Sequence, residues 1–184
     1  MTLDPVWIAA ELDAIEATTK AQPKGKRLET LVKTIFEAVP GLSFEGSNLL
    51  NEYGTEEIDV IFWNDNLREG LHFLDCPLII ECKSSGKPVG GRDVRYFATS
   101  LKDKGRRYGV LVALNGITGD EDNISAGYFH LTAAMGDGVT VLILTADDLL
   151  KFTCGAEVVA ALRRVLTHMV IRQVRQSESQ NARS

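Results

Sequence analysis

The sequence predicts an α/β domain with a central mixed sheet flanked by helices, and three observations carry that expectation. Apolar strand-like runs and amphipathic helical stretches follow one another in the order α, α, β, β, β, α, β, α, β, α. The stretch from Leu78 to Leu114 reads strand–helix–strand, and its return strand, Tyr108 to Leu114, is apolar throughout, as a buried central strand is. Such a return is a βαβ crossover, so at least two neighbouring strands run parallel and the sheet is mixed. The chain has 184 residues, 45% of them hydrophobic, which suits one domain with a substantial core.

The elements follow in order. Asp4 is placed to cap a first helix and Pro5 is tolerated at its first position, with Ile8, Ala9, Leu12 and Ile15 forming the apolar stripe. Gln22-Pro23-Lys24-Gly25 reads as a turn before a second helix from Arg27 to Val39. Its stripe is Leu28, Leu31, Val32, Ile35 and Phe36, and Pro40-Gly41 stops it. Leu42 to Leu50 alternates loosely as a strand, Asn51 to Gly54 turns, and Glu56 to Trp63 is a second, β-branched strand. Asn64 to Gly70 is a polar connection, and Leu78-Ile79-Ile80 opens a buried strand. Ser84 to Gly91 is a glycine- and hydroxyl-rich loop, followed by a helix from Arg92 to Asp103 that turns Val94, Phe97, Ala98 and Leu101 inward. Beyond Leu114 come a short helix (Ser125 to Met135), a strand (Val139 to Leu144) and a last helix (Ala156 to Val174). By composition, residues 1–22 are an N-terminal helical extension, 23–175 the main domain, and 176–184 a polar, disordered tail.

Bulk properties exclude several classes. The apolar runs are strand-sized, so no membrane span is expected, and the N-terminus lacks the basic region of a secretory signal. Three cysteines, Cys76, Cys82 and Cys154, without metal-site spacing favour a reducing compartment and a cytoplasmic location. A net charge of −5 argues against a protein that coats nucleic acid non-specifically. Charge is uneven, however. From Lys83 to Arg107 there are eight basic residues against Asp93 and Asp103, so a positive face is expected to begin at Lys83 and continue after it.

The chemistry concentrates in Glu81-Cys82-Lys83, at the end of the Leu78 strand. Period two puts Glu81 and Lys83 on one face and Cys82 on the other. A carboxylate and an ammonium there are costly to bury unless something pairs or uses them. Asp59 occupies a matching position in its own strand. If the strands are neighbours, Asp59 and Glu81 converge on one hard divalent cation with Lys83 beside them, a set suited to phosphodiester hydrolysis. Taken alone, E-x-K is a common structural pair. Lys87, Arg92, Arg95 and Lys102 are the candidate nucleic-acid contacts, on the loop and the outer face of the following helix. His72, the acidic run from Asp120 to Asn123, and Arg163, Arg164, Arg172 and Arg175 are read as solvated or packing residues.

These residues resemble the PD-(D/E)xK nuclease superfamily, and within it the Mrr-like restriction endonucleases. The resemblance runs from about Gly25 to about Leu150. It rests on Gly25-Lys26-Arg27-Leu28-Glu29, Ile58-Asp59-Val60, Ile80-Glu81-Cys82-Lys83, Tyr108 to Ala113 and Ile117-Thr118-Gly119. Two departures stand out. The glycine-rich turn before the aspartate is here Gly54-Thr55-Glu56-Glu57, and the glutamine common in the Mrr branch is here Glu81.

The resemblance implies a restriction-endonuclease-like core across the main domain. It also implies an endonuclease acting on DNA with Mg²⁺ or Mn²⁺ held by Asp59 and Glu81, and Lys83 assisting the attacking water. Glu29, on physical grounds alone a solvated helix residue, becomes a helper that orients metal or water. Restriction or phage defence is the implied setting. A repair or junction-resolving nuclease with the same residues, and a nuclease-fold module that binds without cutting, are the rival readings. Partner subunits are open between a homodimer and a separate specificity subunit.

Overall fold

The structure, a computed structural model, describes residues 2–50, 57–121 and 125–181, with side chains described up to residue 174. The expected turns at 51–54 and 54–56, Asp122 and Asn123 of the acidic run, and the Arg175 side chain lie outside the described residues. The elements are α1 (Pro5–Ala17), α2 (Ala21–Glu37), β1 (Leu42–Leu50), β2 (Glu57–Asn64), β3 (Leu78–Lys83) and α3 (Gly91–Asp103). After these come β4 (Tyr108–Ala113), α4 (Gly127–Gly136), β5 (Thr140–Leu144), a short α5 (Ala146–Leu149) and α6 (Gly155–Asn181).

The five strands lie in sequence order in one sheet. β1, β2 and β3 pair antiparallel, whereas β3 pairs parallel with β4, and β4 with β5. The sheet is therefore mixed, and the β3–α3–β4 crossover is the one expected from the sequence. Alternation along the strands sorts side chains into two apolar layers. Val60, Phe62, Leu78, Ile80, Cys82, Val110 and Val112 face α2, α6 and α1. Ile79, Leu111, Ala113 and Val141 face α3 and α4. Gly109 lets α3 approach β4, because a Cβ there would lie 2.5 Å from Leu101 Cδ1.

Three expectations need correction. Gln22 to Gly25 is not a turn: α2 begins at Ala21, and Pro23 falls in its first turn, where backbone N–H groups have no helical partner and proline costs little. The N-terminal extension is less detachable than its label suggests, since Ile8 and Ile15 are fully buried in the same core as α2. The last helix continues from Val174 to Asn181, into the segment read as a disordered tail. No glycine or proline interrupts residues 156–184, so nothing local ends the helix where apolar residues run out.

Two polar anchors set β3 beside β2. The buried Asn64 side chain donates to the carbonyls of Leu71 (2.9 Å) and Asp75 (3.3 Å), closing the connection between the two strands. Asp75 accepts from the backbone N–H groups of Arg107 (2.5 Å) and Tyr108 (3.0 Å), fixing the start of β4 to the entry of β3.

Candidate active site

The ladder between β2 and β3 ends at Val60↔Ile80, so Asp59 and Glu81 occupy the next positions outward. Past that point Asp59 takes over from the backbone. Its Oδ2 accepts the Cys82 N–H at 2.7 Å, which sets the carboxylate between the side chains of the E-x-K segment. Lys83 Nζ lies 2.8 Å from Glu81 Oε1, and these two side chains are 37% and 14% exposed. Cys82 is buried in the opposite layer, as period two requires. On each carboxylate one oxygen is committed to the protein. Among the described residues, Asp59 Oδ1 and Glu81 Oε2 have no hydrogen-bond partner.

The electrostatics follow from this crowding. Burial pushes the Asp59 carboxyl above its ordinary value, opposed by the Cys82 hydrogen bond and the Lys83 charge. Glu81 is pushed up by burial and then by Asp59, with Lys83 opposing. Burial alone would lower Lys83, but the Glu81 charge and hydrogen bond, Asp59 and Asp93 outweigh it and raise it instead. Lys83 is therefore an ammonium at neutral pH. The Cys82 thiol is driven well above its ordinary value by burial and the surrounding carboxylates, so it stays protonated and is no nucleophile.

Glu29 joins the group from α2. Its Oε2 accepts from Asn48 Nδ2 at 2.6 Å, and burial raises its carboxyl, with Asp59 and Glu57 adding to the rise. Of the residues expected from the sequence, the structure brings together Asp59, Glu81, Lys83 and Glu29. Sequence reasoning missed Asn48, the Cys82 N–H and Asp93, whose charge acts on both Glu81 and Lys83 from the first turn of α3. A hydrogen bond between residues 19 apart leaves no periodicity to detect.

Among the described residues no group of three or more His, Cys, Asp and Glu side chains is arranged to hold an ion. The two carboxylates of Asp59 and Glu81, both raised by burial, are oxygen donors of the kind that hard divalent cations take.

The eight cations do not form one face. Lys87, Arg92 and Arg95 are exposed on the loop and on α3 near the Glu81 end of β3. Lys102 is exposed but ion-paired with Asp137 at 3.4 Å. Arg106 donates to the Cys76 carbonyl at 2.6 Å, and Arg107 lies over the Tyr108 ring, both at the opposite end of the strands, roughly 17 Å away at strand rise. The 84–90 loop is tied down as well: Asn115 donates to the Ser85 carbonyl, Val89 N–H to the Gly116 carbonyl, and Thr118 N–H to the Val89 carbonyl. Arg163 and Arg172 are engaged internally, by the Phe73 ring and by Glu121.

A mixed sheet whose central strand ends in an acid, a buried residue and a lysine, with an aspartate brought in from the next strand, is the arrangement of a restriction-endonuclease-like nuclease. The family model Mrr_cat, described as restriction endonuclease, matches residues 21–126. That is more than half of the chain, and the chain belongs to this family. The match opens at the first residue of α2 and closes just before α4, so it contains every residue of the site. No curated protein matched the sequence. Among the described residues, no helix is long and apolar enough to cross a membrane.

Proposed function

We propose that the chain is a divalent-metal-dependent endonuclease that hydrolyses phosphodiester bonds in DNA, in a cytoplasmic restriction or defence role. The convergence of Asp59, Glu81 and Lys83 at one end of β3 carries this reading, through the Cys82 N–H bond to Asp59 and the Lys83–Glu81 pair. Asp59 and Glu81 would hold Mg²⁺ or Mn²⁺, which supplies Lewis-acid neutralisation of phosphate charge and acidification of water.

The protein's own groups divide the remaining work. Lys83, kept protonated by its acidic neighbours, serves as a donor to developing negative charge and as an orienting group, not as a base. Glu81 fixes the direction of the ammonium through its Oε1, leaving Oε2 for the ion. The Cys82 N–H holds Asp59 in one orientation, so little reordering is needed when substrate arrives. Glu29 sits within the electrostatic reach of Asp59 and orients water or metal from the α2 side. Lys87, Arg92 and Arg95 are the phosphate contacts that carry DNA across the site, and Lys102 becomes one only by leaving Asp137.

The test is incubation of the purified protein with supercoiled plasmid, linear DNA and RNA, with Mg²⁺ or with chelator. Mg²⁺-dependent nicking of DNA is the expected result. Binding of DNA without any cleavage in Mg²⁺ or Mn²⁺ would instead favour a non-cutting module.

A further inference from the structure

Asn48 lies in β1 with φ of 53°, inside the left-handed region that a non-glycine residue seldom adopts within a strand. The pairs Ser47↔Val60 and Leu49↔Ile58 bracket it, so it stands opposite Asp59, yet Asn48 and Asp59 are not themselves a ladder pair. Its amide instead donates to Glu29 Oε2 at 2.6 Å, across to α2. Asn48 is solvent-exposed, and an exposed hydrogen bond adds little to folding stability. A strained backbone that holds such a bond is better explained by what the bond positions.

The neighbouring charges say what that is. The charges of Asp59 and Glu57 repel the Glu29 carboxylate, and that of Lys26, three residues earlier on α2, attracts it. Left to these forces alone, the Glu29 carboxylate would be drawn away from Asp59 and toward Lys26. The Asn48 amide is the donor that opposes them, holding Glu29 Oε2 at 2.6 Å.

We infer that Asn48 is a positioning residue of the site, fixing the Glu29 carboxylate beside Asp59 so that Glu29 can act on the ion or the water. This assignment rests on the nuclease reading above and adds to it a residue that touches neither metal nor substrate. It requires the left-handed backbone only to aim the amide, so backbone and amide are separable by substitution.

Asn48→Gly keeps the left-handed backbone and deletes the amide, Asn48→Ala removes the amide and adds strain, and Glu29→Ala removes the group being positioned. Each variant is compared with wild type by melting curve, calorimetric Mg²⁺ titration and plasmid nicking at saturating DNA. Asn48→Gly should melt within a few degrees of wild type, roughly neutral as glycine at such a backbone is. It should bind Mg²⁺ several-fold more weakly and nick on the order of 10-fold more slowly at unchanged KM, the scale of a mispositioned group. In the Glu29→Ala background, Asn48→Gly should change neither quantity further. Wild-type affinity and rate in Asn48→Gly, or an undiminished effect in the Glu29→Ala background, would overturn the assignment alone. Wild-type protein that neither binds Mg²⁺ nor nicks DNA would overturn the nuclease reading and this assignment with it.

Discussion

Asp59 and Cys82 are joined by a hydrogen bond in which a side-chain carboxylate on β2 accepts a backbone N–H of β3 at 2.7 Å, just beyond the last ladder pair. The bond has two roles: it satisfies a strand donor and it aims the aspartate at the E-x-K segment. Asn in place of Asp retains an oxygen acceptor there, and Ala does not. Asp59→Ala should therefore be less stable than Asp59→Asn by about 1–3 kcal/mol, the cost of leaving a buried donor unpaired. Urea denaturation of both variants in chelator reads the difference. Equal stability would show that the carboxylate contributes nothing to strand pairing.

Burial and like charge raise the carboxyls of Glu29, Asp59 and Glu81, so each binds its proton more tightly folded than unfolded. Stability falls as pH rises from the ordinary carboxylate range through the raised folded values, and the loss persists above them. Lys83 is raised as well and acts with the same sign in a higher window, its contribution being full at neutral pH and lost only as pH rises above the ordinary lysine range. In chelator, Glu81→Gln should therefore gain stability relative to wild type as pH is raised from about 4 to 7, the window opening at the usual carboxylate pKa. Added Mg²⁺ should stabilise wild type at pH 7 and do so less in the variant. A gap that narrows with rising pH would contradict the placement of Glu81.

Within the basic segment, the proposed phosphate contacts Arg92 and Arg95 are separable from Arg106, which is engaged in the fold. Arg92→Gln or Arg95→Gln should weaken DNA binding and lower the salt slope by roughly one unit, because each removes one phosphate contact. Arg106→Gln should leave that slope unchanged. It should instead destabilise the fold by about 0.5–3 kcal/mol through loss of the bond to the Cys76 carbonyl. Fluorescence anisotropy over a salt series, with a melting curve, distinguishes the two patterns. An altered slope in Arg106→Gln with unchanged slopes in the other two would reverse the assignment.

Much of the fold was legible because it depends on periodicity. The two-residue period of Leu78–Lys83 assigned Glu81, Cys82 and Lys83 to the correct faces, and the apolar run at Tyr108 announced a central parallel strand. The misreadings came where local signals conflict with context. Pro23 and Gly25 look like a turn, but the first turn of a helix tolerates proline, and burial of Leu28 and Leu31 holds the rest. Within the site, Asp59 and Glu81 were visible as charges at strand ends. Asn48 was not, nor were the fold anchors Asn64 and Asp75 at the other end of the strands, because their roles rest on hydrogen bonds to distant backbone and side-chain groups that no local pattern records. Likewise, eight cations close in sequence suggested one face, yet the crossover carries Arg106 and Arg107 to the other end of the strands.

The most direct test of the site is plasmid nicking by Lys83→Ala in Mg²⁺, with calorimetric Mg²⁺ titration and a melting curve on the same protein. In the proposed mechanism Lys83 donates to developing charge and directs Glu81, without being a metal ligand. The folded variant should therefore bind Mg²⁺ nearly as wild type does while cutting slower by about 10²-fold or more, as when one electrostatic stabiliser is removed from an active site. A folded Lys83→Ala protein that nicks plasmid at the wild-type rate would contradict the account.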